Sequence, residues 1–334
     1  MGNTAIAIKD QERNVLTLRK REGTKSFLDV PVELRKKDFE SFSGKFFAEI
    51  MPPSAFNYFK RAILETGIEG KDAFEWLGYA LSENGNGNPV SPIAQWVHED
   101  PFNPRAFKYL YGIEDALTPL DKGYIFTSGA QAIYLRLLSL VNRLPVIIGK
   151  ERKRFGMSND DKYVIYNIGA AYGLDTIYMM AEHPELKEIV RIVHIDPDEE
   201  SLSCGLRYAE QLDVAGCFEF IPKKIEETDI KKAHMALFIG MFCPVPTDKC
   251  ITILSLIKSF IHQDGVVIFS TVQEKMLMGG PILDFIMWCY GWRMYFKSDK
   301  EPGQISLKAG FSHDGAMDWD DDLGYNRMTV ARNS

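Results

Sequence analysis

The sequence predicts an α/β fold, in which a mainly helical N-terminal region precedes a doubly wound, mostly parallel sheet. After about residue 155, short apolar runs rich in β-branched residues alternate with helical segments. This alternation is typical of a parallel sheet covered by helices on both faces. Before that point, apolar residues recur at three- and four-residue spacing, as in amphipathic helices. We therefore divide the chain into 1–155, mainly helical, and 156–334, the α/β domain.

The N-terminal region contains several predicted helices. Helical spacing runs from 38 to 81, interrupted at Met51–Ser54, and a mixed helical stretch covers Pro92–Leu117. A further amphipathic helix covers Ala130–Leu144, and we expect it to end before Pro145, because proline removes a helical hydrogen bond.

The α/β domain begins with an apolar run that ends at a glycine, followed by four more runs at similar intervals. The predicted strands are Tyr163–Ile168, Ile189–Ile195, Phe218–Ile221, Met235–Ile239 and Val266–Ser270. The helices between them are Thr176–Ala181, Glu199–Gln211 and Thr247–Ile261.

Composition excludes several classes of protein. With 46% hydrophobic and 25% charged residues, the chain resembles a globular protein and not a disordered one. The net charge of −7 disfavours a general nucleic-acid binder, which needs clustered Lys and Arg. The most apolar stretches are too short or too interrupted to span a bilayer, and the first residues do not form a signal peptide.

The cysteines favour a reducing compartment. There are five of them, an odd number, and no two form a Cys-x-x-Cys pair. A disulfide framework and a structural zinc site both lose support, so we predict no metal and reduced thiols that act as small core residues. A cytoplasmic location is the corresponding expectation.

Two features predict a nucleoside site where the first two strands end. Gly169 and Gly173 permit a tight turn between strand and helix, and Ala171 keeps the turn small. Asp196 ends the second strand, about 20 residues further on, where a carboxylate reaches the two ribose hydroxyls of a bound nucleoside. Alternatively, Asp196 serves only to cap the helix that begins near Glu199.

The residue after this turn separates two classes of nucleoside ligand. Asp175 lies in the first turn of the helix, where a carboxylate repels the pyrophosphate of a dinucleotide. The same carboxylate tolerates a ligand that carries a cation. S-adenosylmethionine has a sulfonium, an ammonium and one carboxylate, so we favour it over NAD.

From about residue 160 to 332 the sequence resembles the class I S-adenosylmethionine-dependent methyltransferases. The similar segments are the glycine turn, the second-strand acid, the third and fourth strand exits, the turn and strand Asp264–Ser270, a last helix at Leu307–Phe311 and a reversed final strand at Asn326–Arg332. The resemblance implies a seven-stranded, Rossmann-like sheet. It departs from the family at Asn167 and Lys224, where many members have an acid, and at Ala171, where many have a glycine.

The resemblance also implies which residues bind S-adenosylmethionine. They belong to the turn around the methionine part, the ribose acid, the adenine loop and the exit of the fourth strand. The expected cofactor-binding residues are Asn167, Gly169, Ala170, Ala171, Tyr172, Gly173, Asp196, Pro197, Lys224, Ile225, Gly240, Met241 and Phe242.

Methyl transfer from a sulfonium needs alignment of the acceptor and, for some acceptors, a base. Glu274 and His313 are the candidate bases, although Glu274 is also a typical helix-start acid. No Asp-Pro-Pro-Tyr motif of base-modifying enzymes is present, so we predict a small-molecule acceptor, methylated on oxygen or nitrogen, and no nucleic acid.

Other functions stay open at this point. Residues 1–155 are expected to form a lid, an acceptor-binding region or a homodimer interface. Rival functions are aminocarboxypropyl transfer from the same cofactor, as in nicotianamine synthase, a nicotinamide-dependent dehydrogenase and a non-catalytic cofactor-binding scaffold.

Overall fold

The computed structural model describes residues 92, 93, 96, 103–111, 128–279 and 294–334. They belong to two compact units. The described residues of the α/β unit are 135–273 and 295–334, so this unit begins inside the helix before residue 155. The described residues between 92 and 134, with 274–279 and Met294, belong to the other unit. The predicted helices from 38 to 81 lie outside the described residues.

A seven-stranded sheet forms the centre of the α/β unit, with the strand order β3-β2-β1-β4-β5-β7-β6. The first five strands are parallel, and β7 runs antiparallel to β5 and β6. The strands are β1 (Tyr163–Ile168), β2 (Val190–Ile195), β3 (Phe218–Ile221), β4 (Ala233–Phe238), β5 (Ile261–Val272), β6 (Trp319–Asp320) and β7 (Asn326–Arg332). The prediction of a doubly wound, mostly parallel sheet is confirmed.

The strand order reverses beside β1, which pairs with β2 on one side and β4 on the other. In doubly wound sheets a ligand crevice opens at this switch point, outside the carboxyl ends of the strands. Ile165, Ile192 and Leu237 are fully buried, because helices cover both faces of such a sheet. The helices of the α/β unit after β1 are α3 (Leu174–Glu182), α4 (Glu199–Gln211), α5 (Thr247–Ile257) and α6 (Glu301–Lys308).

The helix before β1 is longer than predicted. It is α2 (Ser128–Arg154), and it continues through Pro145. A proline inside a helix costs about 3 kcal/mol. Leu144 and Ile148 on either side of it are fully buried, and burial of each such side chain contributes about 1.5–3 kcal/mol. The predicted end before Pro145 is therefore wrong, because packing of the apolar face outweighs the lost hydrogen bond.

One part of α2 also has the length and composition of a membrane-crossing helix. It covers Ala132–Arg154, with a mean hydropathy of 1.4 over its most apolar window. Of that window, 56% is buried inside the protein. Buried core helices have the same composition, so the feature by itself assigns no membrane.

Inside the stretch predicted as helical at Pro92–Leu117, the structure describes a helix, α1 (Pro104–Leu110), whose N-cap Asn103 accepts a hydrogen bond from the Arg105 N–H. Two other helix predictions need correction. The predicted helix Thr247–Ile261 ends at Ile257, because Ile261 already pairs with Ala233 as the first residue of β5.

The predicted last helix, Leu307–Phe311, lies too far along the chain. α6 ends at Lys308, and Gly310 follows it with a φ of +84°. A left-handed glycine is a common end of a helix. Phe311 beyond it is buried in the core and belongs to the next segment.

A buried ion pair joins the end of α2 to β7. Glu151 accepts two hydrogen bonds from the Arg332 guanidinium, at 2.8 and 2.9 Å, and one from Arg154 Nε at 2.9 Å. Burial raises the pKa of Glu151, but the bonds from Arg332 and Arg154 outweigh burial and hold it below its usual value. Arg332 pairs with Val266 of β5, and Val266 pairs with Met235 near the start of β4, so this contact lies towards the amino-terminal edge of the parallel strands.

We expect Glu151→Gln to lower the free energy of unfolding by about 2 kcal/mol at neutral pH, because it removes the charged partner of Arg332. Since the pKa of Glu151 is lower in the folded state, this contribution is present above the unfolded pKa and is lost as pH falls through the folded value. Urea unfolding should therefore show the gap between wild type and variant narrowing as the pH is lowered through the range below the usual carboxyl pKa.

The matched control is Glu188→Gln, since the Glu188 side chain is 92% exposed and 4.0 Å from Lys162. Its cost should stay below about 0.5 kcal/mol. An equal loss in both variants, or a loss in Glu151→Gln that does not change with pH, would contradict the ion-pair assignment.

Candidate functional site

The turn between β1 and α3 contains three residues with left-handed backbone. Their φ values are +66° at Gly169, +46° at Ala171 and +63° at Gly173. The Gly169 N–H donates to the Ile195 carbonyl at 2.8 Å, and the Gly173 N–H closes the turn on the Ala170 carbonyl at 2.7 Å. The turn is therefore anchored to the end of β2 and bends tightly, as the two glycines predict.

Neighbouring segments approach this turn more closely than a side chain would allow. A Cβ on Gly169 would lie 2.8 Å from Met241 Sδ. A Cβ on Gly240, which has a φ of +80°, would lie 2.9 Å from Arg136 Nη2. Because both glycines also have a left-handed φ, a side chain at either position would strain the backbone and displace the Met241 or Arg136 side chain.

Gly173 packs against a buried histidine on β2. A Cβ at this position would lie 2.0 Å from His194 Cε1. His194 Nε2 is 2.7 Å from Thr176 Oγ1, and that hydroxyl donates to the Gly173 carbonyl at 3.0 Å. Nε2 must then be the protonated nitrogen, and Nδ1 has no hydrogen-bond partner in the described part of the chain. Burial lowers the pKa of His194 to about 3, so the ring is neutral.

Asp196 connects the end of β2 to the glycine turn. Its Oδ2 accepts a hydrogen bond from the Ala171 N–H at 2.8 Å, and its Oδ1 accepts one from the Asp198 N–H at 2.9 Å. The carboxyl group is partly buried, and burial raises the pKa of Asp196 while the two N–H donors oppose the increase. This places a carboxylate directly beside the turn.

The residue that caps α4 is Asp198. Its Oδ1 accepts hydrogen bonds from the Glu200 N–H at 3.0 Å and the Ser201 N–H at 3.2 Å. The alternative in which Asp196 serves only as the helix cap is therefore wrong. Two acids lie two residues apart, one assigned to the helix and the other to the turn.

Asn167 and Asp175, on either side of the turn in the sequence, are joined by a hydrogen bond. Asn167 is buried, and its Nδ2 donates to Asp175 Oδ1 at 3.1 Å. The Thr176 N–H donates to the same oxygen at 2.9 Å. Burial raises the pKa of Asp175, and the positive charge of Arg136 acts against that increase. Asn167 thus supports a first-turn acid, a role that the family resemblance did not imply.

Arg136 is the residue that the sequence analysis missed. Its side chain comes from α2, is only 9% exposed and lies against Gly240. Among the residues that the structure describes, no carboxylate lies within 4 Å of its guanidinium. The signal was available, since Arg136 follows Ile133 by three residues and precedes Leu140 by four, inside an apolar helical stripe.

Two predicted cofactor residues direct their side chains into the packing. Tyr172 is buried and its ring centroid is 6.0 Å from that of Tyr208 on α4. Phe242 is fully buried, with its ring 4.7 Å from Phe238 and 5.4 Å from Phe269. Both side chains therefore contribute to the core of the α/β unit.

The remaining predicted residues follow β2 and β3. Pro197 is exposed after Asp196. Lys224 is exposed, and Ile225 next to it is buried in the cluster that contains Ile195. The role of both residues in binding the adenine remains a prediction.

The two candidate bases are each described within their own unit. His313 Nε2 is 2.9 Å from Asp318 Oδ2, and the adjacent Ser312 pairs with Arg332 of β7, which is three strands from β1 in the sheet. Glu274 is exposed and begins a short 3₁₀ helix among the described residues of the other unit.

The described ranges contain no candidate metal site and no disulfide. No group of three or more His, Cys, Asp or Glu side chains there is suited to hold a metal ion. The four described cysteines are free thiols, and burial raises the pKa of both Cys243 and Cys250. Cys289 lies outside the described residues.

Comparison with known proteins identifies the fold. No family model matches the sequence, and no curated protein matches it. One similar structure is the magnesium protoporphyrin IX methyltransferase of Synechocystis PCC 6803, solved with bound SAH, which is 14% identical in sequence. The alignment covers 72% of this chain and 98% of the methyltransferase, with a TM-score of 0.51. A possible exported protein of Bordetella parapertussis is also 14% identical. The alignment covers 87% of this chain and 96% of that protein, with a TM-score of 0.50. The α/β unit has the Rossmann-like methyltransferase fold.

We expect Gly173→Ala to lower the free energy of unfolding by about 2–4 kcal/mol, since it combines a strained φ with a clash against His194. Thermal and urea unfolding measure the loss. In the double variant with His194→Ala, the total loss should be smaller than the sum of the losses in the two single variants, because the smaller side chain relieves the clash.

Gly149→Ala is the matched control. Gly149 lies in α2 with no atom within 4 Å of its Cβ position, so the alanine should stabilise by about 0.5–1 kcal/mol. If Gly173→Ala is as well tolerated as Gly149→Ala, the tight packing of the turn on His194 is disproved.

Proposed function

We propose that the protein is an S-adenosylmethionine-dependent methyltransferase that acts on an oxygen or nitrogen of a small-molecule acceptor. One observation carries the proposal. The Asp196 carboxylate is fixed beside the left-handed turn by the Ala171 N–H, at the switch point between β1, β2 and β4. A nucleoside held by its ribose on Asp196 has its remaining half over the turn.

The charge next to the turn supports a sulfonium nucleoside over a dinucleotide. Asp175 lies in the first helical turn of α3, where a pyrophosphate would otherwise bind. Its carboxylate repels two phosphate charges and attracts the ammonium or sulfonium of S-adenosylmethionine. The structural neighbour from Synechocystis, which has the same fold, contains SAH.

The chemistry requires little covalent assistance from the protein. The sulfonium already carries its leaving group, so the site must align the acceptor with the methyl group and exclude water. An acceptor hydroxyl or ammonium must also lose a proton. Glu274 and His313 stay as predicted bases.

The acceptor is proposed to be a small molecule and not a nucleic acid. The net charge of −7 disfavours binding to a phosphate backbone. The Synechocystis neighbour is a methyltransferase for magnesium protoporphyrin IX, which is itself a small molecule. A cytoplasmic location and a homodimer formed through the N-terminal region remain proposals that rest on the sequence.

We expect Asp196→Asn to weaken binding of S-adenosylmethionine by about 10- to 100-fold, because charge-assisted hydrogen bonds to the ribose are lost. Isothermal titration calorimetry measures the affinity. Since burial raises the pKa of Asp196, wild-type affinity should fall as the solution is acidified towards that pKa, and the affinity of Asp196→Asn should change less.

Asp198→Asn is the matched control, since it removes the same charge two residues away and asparagine caps helices as well as aspartate does. Its affinity should equal that of wild type. Equal binding by Asp196→Asn would refute the ribose assignment, and no binding by wild type would refute the cofactor itself.

Product analysis distinguishes the rival chemistries. With an accepted substrate, methyl transfer yields S-adenosylhomocysteine, whereas aminocarboxypropyl transfer yields methylthioadenosine. A non-catalytic scaffold would bind the cofactor and yield neither product with any acceptor in a panel of phenols, carboxylates and amines.

A further inference from the structure

Arg136 is a buried cation without an anionic partner. Its side chain is 9% exposed, and no ion pair within 4 Å involves it in the part of the chain that the structure describes. A guanidinium removed from water and left without a counter-charge is costly. Arg332, by contrast, is bound by the Glu151 carboxylate at 2.8 Å in the same unit.

The described polar side chains nearest to Arg136 are Cys243 and Asp175, and neither forms an ion pair with it within 4 Å. The Cys243 thiol lies near it, but burial raises the pKa of Cys243, so this neighbour is a neutral thiol. Asp175 feels the charge of Arg136, yet its described hydrogen bonds with other residues go to Asn167 and Thr176. The positive charge is therefore available to a ligand.

The position of Arg136 places this charge opposite the ribose acid. It contacts Gly240 at the exit of β4, and the next residue, Met241, contacts Gly169 at the start of the turn. Asp196 approaches the same turn from β2, on the other side of β1. The turn thus has an anion on its β2 side and a cation on its β4 side.

We propose that Arg136 binds the α-carboxylate of the methionyl part of S-adenosylmethionine. This inference rests on the proposed function and adds the residue that recognises the amino-acid end of the cofactor. Arg136 is a cofactor-positioning residue in this assignment. A guanidinium binds a carboxylate through two parallel N–H donors, which fixes orientation as well as affinity.

The pair of charges at this end selects a zwitterion. Arg136 attracts the carboxylate and the nearby Asp175 attracts the ammonium, whereas a pyrophosphate would meet repulsion from Asp175. The two side chains interact electrostatically without forming an ion pair within 4 Å, so neither is occupied by the other. Ligands without the carboxylate should consequently bind less well.

The test compares two ligands that differ only in this carboxylate, S-adenosylmethionine and its decarboxylated form. Calorimetry should show wild type binding S-adenosylmethionine about 10- to 100-fold more tightly. Arg136→Met should lose this preference through weaker binding of S-adenosylmethionine alone. Arg136→Lys should retain part of it, because the charge is kept and the bidentate geometry is lost.

Arg143→Met is the matched control, since Arg143 lies on the same helix and is exposed. It should leave both affinities unchanged. A preference retained in Arg136→Met, or absent from wild type that binds both ligands, overturns the assignment of Arg136. If wild type binds neither ligand, the proposed function fails instead, so the two failures are distinguishable.

The stability of the protein without ligand distinguishes ligand binding from a structural role of Arg136, because the two roles predict opposite changes on substitution. Replacing an uncompensated buried charge by an apolar side chain is often neutral or stabilising. Arg136→Met should therefore melt at or above the wild-type temperature, yet lose most of the stabilisation that S-adenosylmethionine confers on wild type. A clear loss of stability without ligand, with the ligand preference intact, assigns Arg136 to packing. If Arg136→Met does not fold, Arg136→Lys provides the same ligand comparison.

Discussion

The left-handed turn from Gly169 to Gly173 is the constraint on which the rest of the site depends. It bends the chain between β1 and α3 at the switch point of the sheet, and its closing glycine lies against the buried ring of His194. Because that ring is neutral and bonded to Thr176, it forms a rigid surface under the turn. Packing against His194 thus fixes the conformation of the turn. The hydrogen bond from the Ala171 N–H to the Asp196 carboxylate restrains it further.

The two edges of the parallel strands divide stability from function. At the amino-terminal edge, Glu151 and Arg332 satisfy each other in a buried pair. At the carboxyl edge, Asp196, Asp175 and Arg136 are charged groups without an ion-pair partner within 4 Å in the described residues. Glu151 and Arg332 hold α2 and β7 together, whereas the charges at the carboxyl edge are the ones that the proposed function assigns to the cofactor.

The sequence predicted the strands and the glycine turn well, because both are local signals. Apolar runs end where strands end, and the spacing of Gly169 and Gly173 requires a tight bend. The continuation of α2 through Pro145 was missed, because tertiary packing of Leu144 and Ile148 decides it. The choice between Asp196 and Asp198 as helix cap was also undecidable from spacing, since either residue precedes α4 closely enough.

Arg136 shows why charge in a sequence must be judged by its surroundings. Arg136 and Arg332 are both mostly buried, and a composition count treats them alike. Arg332 has a carboxylate at 2.8 Å and serves the fold, whereas Arg136 has a thiol and the Cα of a glycine beside it. Proteins rarely bury a cation without reason. The missing counter-charge, and not the arginine itself, is what points to an anionic group on the ligand, and it becomes visible only when the fold brings α2 against the exit of β4.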